Sequence, residues 1–385
     1  MTTTRSAVVV GAGIGGLTAA VALRRRGWDV SVLERAASLE PVGAGIALAP
    51  NALRALEAVG AGDRVHGLAS LQGAVGIRRP DGAWLVRGDT TMAGAGSTVL
   101  LHRAQLVSLL TDELPGAALR LGAEVTGVVA GGPTETATVT TRDHTWHADL
   151  VVAADGIDSP TRAALFPDHP GPAYTGVTAW RFVSAEPAPV QLAETWGRGA
   201  VVGLMPLADG RVYGYLTATA PPGTRSHDGA AELRRRFAGW HDPLDQLLGA
   251  LEPGQVLHHD LRWLRTPLPR YDVGRVAFVG DAAHAMTPNL GQGGAQAIED
   301  AVVLAATVDA AGPDRVEAAL ASYTDQRRDR TRRIARTSAR VGAVTRWRSP
   351  VAVGLRDLGL RTVGRWAMPR AAKGLESILG WRPPA

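Results

Sequence analysis

The feature that most constrains this chain is a glycine-rich turn between two apolar segments near its start, in residues 6–35, SAVVVGAGIGGLTAAVALRRRGWDVSVLER. A β-branched run predicts a strand over Ala7–Val10, and an Ala/Leu-rich run after the turn predicts a helix that stops at Gly27. A second strand, Val30–Leu33, ends at Glu34. The glycines of the turn, in the spacing GxGxxG, are Gly11, Gly13 and Gly16. The segment therefore predicts a complete βαβ unit.

Each part of this unit suits a dinucleotide. Gly11 permits a tight turn, Gly13 lets the backbone approach a pyrophosphate, and Gly16 lets helix and strand pack closely. The helix N-terminus offers free N–H groups to the phosphates. Glu34 is placed to accept both hydroxyls of an adenosine ribose, which favours FAD or NAD over NADP at this site. The candidate cofactor residues of the turn are Gly11, Gly13, Ile14, Gly15 and Gly16.

Two later segments repeat the pattern of a buried strand followed by a turn and a helix. Residues 149–162, DLVVAADGIDSPTR, place Asp155 and Gly156 after a strand, and taken alone this is equally an ordinary structural turn. Residues 275–302, RVAFVGDAAHAMTPNLGQGGAQAIEDAV, place Asp281 and a glycine loop after another. Ligands of open α/β sheets bind beyond the carboxyl ends of the strands, so the three turns are expected to share one crevice.

Together these three segments resemble the FAD-dependent aromatic hydroxylases, the single-component flavoprotein monooxygenases with the para-hydroxybenzoate hydroxylase fold. The resemblance covers nearly the whole chain. It implies an α/β protein with a Rossmann-type FAD-binding domain, an inserted antiparallel-sheet substrate domain and a C-terminal helical region. The implied discontinuous FAD domain comprises residues 1–72, 98–165 and 266–342. The implied substrate domain comprises residues 73–97 and 166–265. The implied helical cap comprises residues 343–385.

The resemblance also implies roles for individual residues. Glu34 would bind the adenosine ribose with Arg35 beside the adenine, and Asp281 would hold a ribityl hydroxyl. The usual Asn after the glycine loop is Gln296 here, so the implied flavin contacts are made by backbone. The other implied cofactor residues are Gly45, Arg103, Gln105, Val125, Asp155, Gly156, Pro288, Gly291, Gly293, Gly294 and Ala295.

The chemistry implied by the resemblance has two halves. NADH or NADPH reduces FAD, and O₂ then forms a flavin C4a-hydroperoxide whose distal oxygen an electron-rich substrate attacks. A helix beginning near Ala295 would direct its positive end at the reduced flavin, and oxygen transfer would occur beside Pro288. In the sequence no second GxGxxG follows a strand, so the nicotinamide nucleotide is expected to bind only transiently.

The expected substrate side consists of short strands with Gly and Pro turns, with a helix over residues 229–251 behind them. Arg181 occupies a place where the resembled family puts a polar residue near flavin N5, but a solvated strand arginine is equally expected. Met205, Tyr213 and Tyr215 are candidate pocket residues, with core packing as the alternative. The pattern suits hydroxylation or epoxidation of an aromatic or terpenoid-like metabolite. His258 and its neighbours alternate faces along a strand, so no metal site is expected.

The composition of the 385-residue chain sets broad limits. The absence of cysteine excludes disulfides and thiolate chemistry and is consistent with a cytoplasmic protein. The net charge of +5 comes almost entirely from dispersed arginines, since Lys373 is the single lysine, and neither nucleic-acid binding nor stable membrane insertion is expected. An arginine-laced C-terminal region could form a cap or a membrane-surface helix. The oligomeric state is not predicted.

Three functions remain open from the residues. The first is a monooxygenase acting on a small organic molecule with O₂. The second keeps the flavin but transfers no oxygen, as in a reductase or dehydrogenase of an alkene or polyprenyl compound. The third is a flavin-holding protein that binds a hydrophobic ligand without catalysis.

Overall fold

The structure is a computed structural model that describes residues 4–39, 45–66, 74–89, 98–252, 254–311 and 315–384. The strands of the first half are β1 (Ser6–Val10), β2 (Asp29–Leu33), β3 (Gly45–Leu48), β4 (Ala74–Arg78), β5 (Trp84–Asp89), β6 (Val99–His102), β7 (Leu119–Arg120), β8 (Val125–Val129), β9 (Ala137–Thr141), β10 (Thr145–Ala148) and β11 (Leu150–Ala153). Those of the second half are β12 (Ala173–Val183), β13 (Leu192–Trp196), β14 (Ala200–Pro206), β15 (Val212–Thr219), β16 (Leu257–Trp263), β17 (Asp272–Val273) and β18 (Val276–Phe278).

The helices alternate with these strands in the first part of the chain and dominate its end. They are α1 (Ile14–Arg24), α2 (Pro50–Ala58), α3 (Gly62–His66), α4 (Arg103–Thr111), α5 (Pro160–Leu165), α6 (Gly229–Arg236), α7 (Leu244–Gly249), α8 (Asp281–His284), α9 (Gly293–Ala311), α10 (Val316–Thr345) and α11 (Pro350–Leu379). Short 3₁₀ helices lie at Gly116–Ala118 and Pro288–Leu290.

The first sheet has the order β17-β18-β11-β1-β2-β7 and is parallel except for β17. Its central strands are continuous Val, Ala and Leu runs with both faces buried, which is typical of parallel strands covered by helices. Since β18, β11 and β1 are neighbours, the turns that follow them meet at one edge of the sheet. The predicted α/β architecture with a βαβ unit at the start is confirmed.

The second sheet has the order β16-β12-β15-β14-β13-β4-β5 and is antiparallel except where β13 pairs with β4. Alternate residues of each strand point to opposite faces of this sheet. On one face, Trp180, Phe182 and Leu216 are fully buried in a cluster with residues of α6 and α7. Residues 229–251 were predicted to form one helix, but they form these two short ones. The sheet therefore has its other face free to line a cavity.

The C-terminal helices join the two sheets. Helix α10 continues to Thr345, so the predicted boundary after residue 342 falls inside a helix. Helix α11 packs along β5 and α2, and Arg356 donates to the Gly197 carbonyl at 3.1 Å. Within the described residues no helix is both long and apolar enough to cross a bilayer.

Candidate functional site

The glycines of the first turn serve two different purposes. Gly11 has a φ of +101°, and a Cβ there would lie 2.5 Å from the Ala154 carbonyl oxygen. A Cβ at Gly16 would lie 2.0 Å from the Gly11 oxygen, and one at Gly15 would press on Ala297. A Cβ at Gly13, by contrast, would meet no described atom within 4 Å. Packing therefore requires glycine at the first and last motif positions, whereas Gly13 leaves open space beside the backbone.

Glu34 fixes this turn from the end of β2. One carboxylate oxygen accepts the Ala12 N–H at 2.8 Å and the other accepts the Ala36 N–H at 2.9 Å. A carboxylate has about four acceptor sites, so capacity remains for two ligand hydroxyls. Arg35 is exposed next to it. The arrangement suits the predicted ribose contact.

The second turn contains a buried acceptor without a partner. Asp155 accepts the Thr161 N–H through Oδ2 at 3.0 Å, but its buried Oδ1 has no partner among the described residues. Gly156 has a φ of +81°, and a Cβ there would meet no described atom. Ser159 caps α5 by accepting the Arg162 N–H at 2.8 Å. Because buried acceptors are normally satisfied, Oδ1 is suited to a ligand donor.

Asp281 lies at the start of α8, directly after β18. Its side chain is exposed to the cavity described below. The protein atoms around the cavity partly desolvate the carboxyl and raise its pKa, and the charges of His284, Arg103 and Arg162 oppose that effect. Arg162 itself is buried and donates to the Ala282 carbonyl at 3.1 Å. Charged groups of the second and third predicted turns thus lie near one another.

The glycine loop after β18 differs in detail from its prediction. Helix α9 begins at Gly293 rather than near Ala295, because the Gln296 N–H already bonds to the Gln292 carbonyl at 2.9 Å. Ala295 is consequently buried inside the helix. Gly291 is left-handed, with a φ of +61°, and a Cβ at either Gly291 or Gly293 would meet no described atom within 4 Å. The loop presents bare backbone to open space.

A cavity of about 870 Å³ lies between this loop and the free face of the second sheet. The predicted site residues that line it are Gly45, Arg181, Met205, Tyr213, Tyr215, Asp281, Pro288, Gly291, Gly293 and Gly294. Its other apolar lining includes Val177, Ala179, Val201, Leu261, Met286 and Leu379. Met205, Tyr213 and Tyr215 therefore lie on the cavity face of their strands, and Arg181 faces the cavity with them.

The remaining predicted residues lie outside the lining of this cavity. Arg103 and Gln105 are exposed on α4, and the Gln105 side chain caps that helix by accepting the His102 N–H at 3.1 Å. Val125 begins β8 in a separate three-stranded sheet. Ala295 is buried in α9 and does not line the cavity. The other predicted residues outside the lining belong to the first two turns or follow Leu33: Gly11, Gly13, Ile14, Gly15, Gly16, Glu34, Arg35, Asp155 and Gly156.

His259, which contacts a cavity residue, and Glu194, which lines the cavity, are polar groups that no sequence motif singles out. Arg181 contacts His259 Nε2 at 2.5 Å, and burial, followed by the charge of Arg181, lowers the pKa of that histidine. Glu194 accepts the Tyr215 hydroxyl at 2.5 Å. His258 points to the other face and stacks on Trp180 with ring centroids 4.6 Å apart. In the described part of the chain, no cluster of three His, Cys, Asp or Glu residues is arranged to hold a metal.

Behind the glycine loop lies a largely buried charge network that the sequence does not predict. Arg327 of α10 donates to Asp300 and to Glu299, each at 2.6 Å, and Arg330 adds a 2.7 Å contact to Glu299. Asp300 also accepts the Gly280 N–H at 2.9 Å and contacts His284 at 2.5 Å. The sequence signal that could have revealed this network is the pair of acids, Glu299 and Asp300, in the middle of the apolar run of α9. The network ties α9 and α10 to the start of the third turn.

Gln292 and Gln296 belong to this network, although Gln292 also lines the cavity. Asn51 donates to Gln292 at 3.0 Å and to Glu299 at 2.7 Å, and the Gln296 amide donates to Glu299 at 3.0 Å. The side chain at the position where the resembled family has Asn is therefore engaged by protein. This agrees with flavin contacts made by backbone alone.

Comparison with known proteins adds independent information. The profile of the FAD binding domain family matches residues 4–338. Aurachin C monooxygenase/isomerase of Stigmatella aurantiaca is 36% identical over 94% of this chain and 95% of its own length. The 2-heptyl-3-hydroxy-4(1H)-quinolone synthase of Pseudomonas aeruginosa is 33% identical over 92% of this chain and 94% of its own. The crystal structure of Klebsiella pneumoniae HpxO with FAD and uric acid superposes with a TM-score of 0.87, at 29% identity and 96% coverage of each chain.

Proposed function

The chain belongs to the FAD binding domain family and is an FAD-dependent monooxygenase of the aromatic-hydroxylase type, and from this premise we propose that it hydroxylates an electron-rich aromatic metabolite with O₂ and NADH or NADPH. The observation that carries the proposal is the cavity between the glycine loop and the second sheet. It brings together the residues predicted for the flavin and those predicted for the substrate.

The described residues fit FAD. Gly13, Gly156, Gly291 and Gly293 leave open space where a side chain would otherwise stand. Glu34 has free acceptor capacity at the ribose position, and Asp155 offers an unpaired buried oxygen. When bound, FAD supplies electron transfer from the nicotinamide nucleotide and the activation of O₂. The chain's own part is to hold, orient and shield it.

Helix α9 provides the electrostatic part of this role. Its first residue is Gly293, so the amides of its first turn lack partners within the helix and point toward the loop. The positive end of a 19-residue helix stabilises negative charge placed there. Because a Cβ at Gly293 would meet no described atom, a ring system can approach these amides closely. The loop would stabilise a negatively charged flavin edge through backbone groups.

The second sheet provides the substrate's surroundings. Its cavity face combines the apolar Val177, Ala179 and Val201 with the polar Arg181 and Tyr213. Cavities of this size typically hold drug-sized ligands and exclude most of their surface from water. The Pseudomonas relative is named for an alkylated 4(1H)-quinolone. We infer for this chain a substrate with an electron-rich ring and an apolar substituent rather than a small, highly charged one.

Labelled oxygen tests the proposed function. The purified protein containing FAD is incubated with NADH or NADPH under ¹⁸O₂ with a panel of hydroxylated and nitrogen-containing bicyclic aromatics. We expect one ¹⁸O atom in the product of at least one compound, faster NAD(P)H oxidation in its presence, and little peroxide.

The outcomes separate the alternative functions. Reduction of an added compound without O₂ uptake would instead indicate a reductase. Ligand binding without NAD(P)H oxidation under any condition would indicate a binding protein. Either result would contradict the proposal, and comparing NADH with NADPH in the same assay identifies the preferred nucleotide.

A further inference from the structure

A row of four residues crosses the cavity face of the second sheet. Arg181 pairs with Tyr215 between β12 and β15, Tyr215 pairs with Gly203 on β14, and Gly203 pairs with Glu194 on β13. With neighbouring strands about 4.8 Å apart, the α-carbons of Arg181 and Glu194 are separated by roughly 14 Å. The cavity thus has a cationic side chain on one side and an anionic one on the other.

The row requires glycine at position 203. A Cβ there would lie 2.0 Å from Tyr215 Cζ and 2.4 Å from its hydroxyl oxygen. The Tyr215 ring therefore lies across the Gly203 backbone and brings its hydroxyl to the neighbouring strand. Tyr215 reaches Glu194 only because the intervening residue has no side chain.

Glu194 is held by two neutral donors. The Tyr215 hydroxyl donates to Oε1 at 2.5 Å, and the Trp196 indole N–H donates to Oε2 at 2.7 Å. The charge of Glu194, together with the larger effect of burial, raises the pKa of Tyr215 well above its ordinary value. In the part of the chain that the structure describes, Glu194 forms no ion pair, and the donors it accepts from are those of Tyr215 and Trp196. Each oxygen retains acceptor capacity, and the residue lines the cavity.

A half-buried carboxylate without a cationic partner is suited to accept a hydrogen bond from a donor group of a ligand. Unpaired charges are costly away from water, whereas a hydrogen bond to an ionised acceptor is stronger than one between neutral groups. The two protein donors fix the carboxylate plane, so its remaining lone pairs have a defined direction. A substrate carboxylate beside it would be repelled.

We propose that Glu194 accepts a hydrogen bond from a ring N–H or a phenolic O–H of the substrate and thereby selects aromatic compounds that carry such a donor. The inference rests on the proposed function, because it assumes that the cavity holds the substrate. The bond fixes the orientation of the ring toward the glycine loop. It also draws the donor hydrogen away from the ring, which makes the ring more electron-rich and so more reactive toward an electrophilic oxygen.

Matched ligands test this inference by binding alone. The probes are 2-heptyl-4(1H)-quinolone, which lacks the 3-hydroxyl of the compound named for the Pseudomonas relative, and its N-methyl derivative, which lacks the donor. Each is titrated into the FAD-containing protein and followed by the change in FAD absorbance or fluorescence. Since a hydrogen bond to a charged acceptor contributes more than one between neutral groups, the wild type should bind the N–H compound about 10- to 100-fold more tightly.

The variant Glu194→Gln should lose this preference. Its amide can accept the Tyr215 hydroxyl or the Trp196 N–H but presents a donor to the other, and it carries no charge. We expect its affinity for the N–H probe to fall about 10- to 100-fold while that for the N-methyl probe changes less than about 3-fold. Glu186→Gln removes an exposed carboxylate from the loop after β12 and should leave both affinities unchanged.

Several results would overturn the role of Glu194. These are equal binding of the two probes by the wild type, binding of neither, or an unchanged preference in Glu194→Gln. Glu194→Asp, which keeps the charge but shortens the side chain, should retain part of the preference, and it replaces Glu194→Gln if that variant does not retain FAD. Because binding is measured without turnover, this inference can fail while ¹⁸O incorporation succeeds, and the reverse also holds.

Discussion

Replacing Gly293 with Val is expected to yield a folded protein that is purified without FAD. Gly293 is the first residue of α9 and lines the cavity, and a Cβ there would meet no described protein atom. A valine therefore creates no clash within the protein, and it replaces the residue with the poorer helix propensity. Its methyl groups would instead fill the space proposed for the flavin. An overlap that costs about 3 kcal/mol or more lowers FAD affinity at least ~100-fold.

The measurement is the ratio of FAD to protein from the absorbance at 450 and 280 nm, together with the melting temperature after FAD has been removed from both proteins. Gly116→Val is the matched control, since Gly116 is exposed and a Cβ there also meets no described atom. It should keep FAD fully. Normal FAD content in Gly293→Val would refute the placement of the flavin against the start of α9.

Replacing Arg327 with Met is expected to destabilise the protein by about 3–5 kcal/mol, which is the usual cost of breaking a buried charge network by removing one partner. Arg327 is 1% exposed and pairs with Glu299 and Asp300, both 0% exposed. Arg330 still pairs with Glu299, and His284 still contacts Asp300, so each acid keeps part of its stabilisation. Urea unfolding followed by circular dichroism measures the difference.

Arg336→Met is the control for this experiment, because Arg336 is exposed on the same helix and loses the same guanidinium. Its free energy of unfolding should change by less than about 0.5 kcal/mol. Equal stability of Arg327→Met and Arg336→Met would contradict the stabilising role of the network. A loss of FAD in Arg327→Met would further show that the network supports the glycine loop, since Asp300 holds the Gly280 N–H.

The same network makes a defined contribution to stability at acid pH. Burial alone would raise the pKa of Asp300, but the charges of His284 and Arg327 outweigh it and lower the pKa from 3.8 to about 2. Because the folded pKa is the lower one, the stabilisation is complete above about pH 4 and is lost as the pH falls toward 2. The stability difference between wild type and Asp300→Asn should therefore shrink across that window. A constant difference from pH 5 to pH 2.5 would contradict the lowered pKa.

Local motifs could be predicted because their geometry depends on neighbours in sequence. Gly16 is required by a clash with the Gly11 oxygen within one strand–turn–helix unit, and Ser159 caps the helix that begins at the next residue. Such contacts span a few residues, so spacing alone reveals them. The start of α9 was predicted two residues too late, because glycine has a low helix propensity and the first turn contains two glycines. The hydrogen bond from the Gln296 N–H to the Gln292 carbonyl nevertheless forms that turn.

The side chains of the cavity could not be predicted in the same way. Alternation shows that Met205, Tyr213 and Tyr215 share faces with their neighbours but not which face is covered by helices. The covered face is the one that contains Trp180 and Phe182, because α6 and α7 pack against it. Glu194 went unnoticed because a single acid in a strand carries no motif, and its partner Tyr215 is 21 residues away.

The sequence by itself determined the parallel α/β core, the dinucleotide turn and the order of the three turns, because short-range sterics and the hydrophobic period act within each segment. The tertiary structure alone decided which glycines face open space, which sheet face lines the cavity and which charges are paired. Arg327 and Asp300, which form an ion pair, are 27 residues apart in the sequence. Arg181 and Glu194 line the same cavity from different strands. Contacts of this kind depend on how whole elements pack, and no local pattern specifies them.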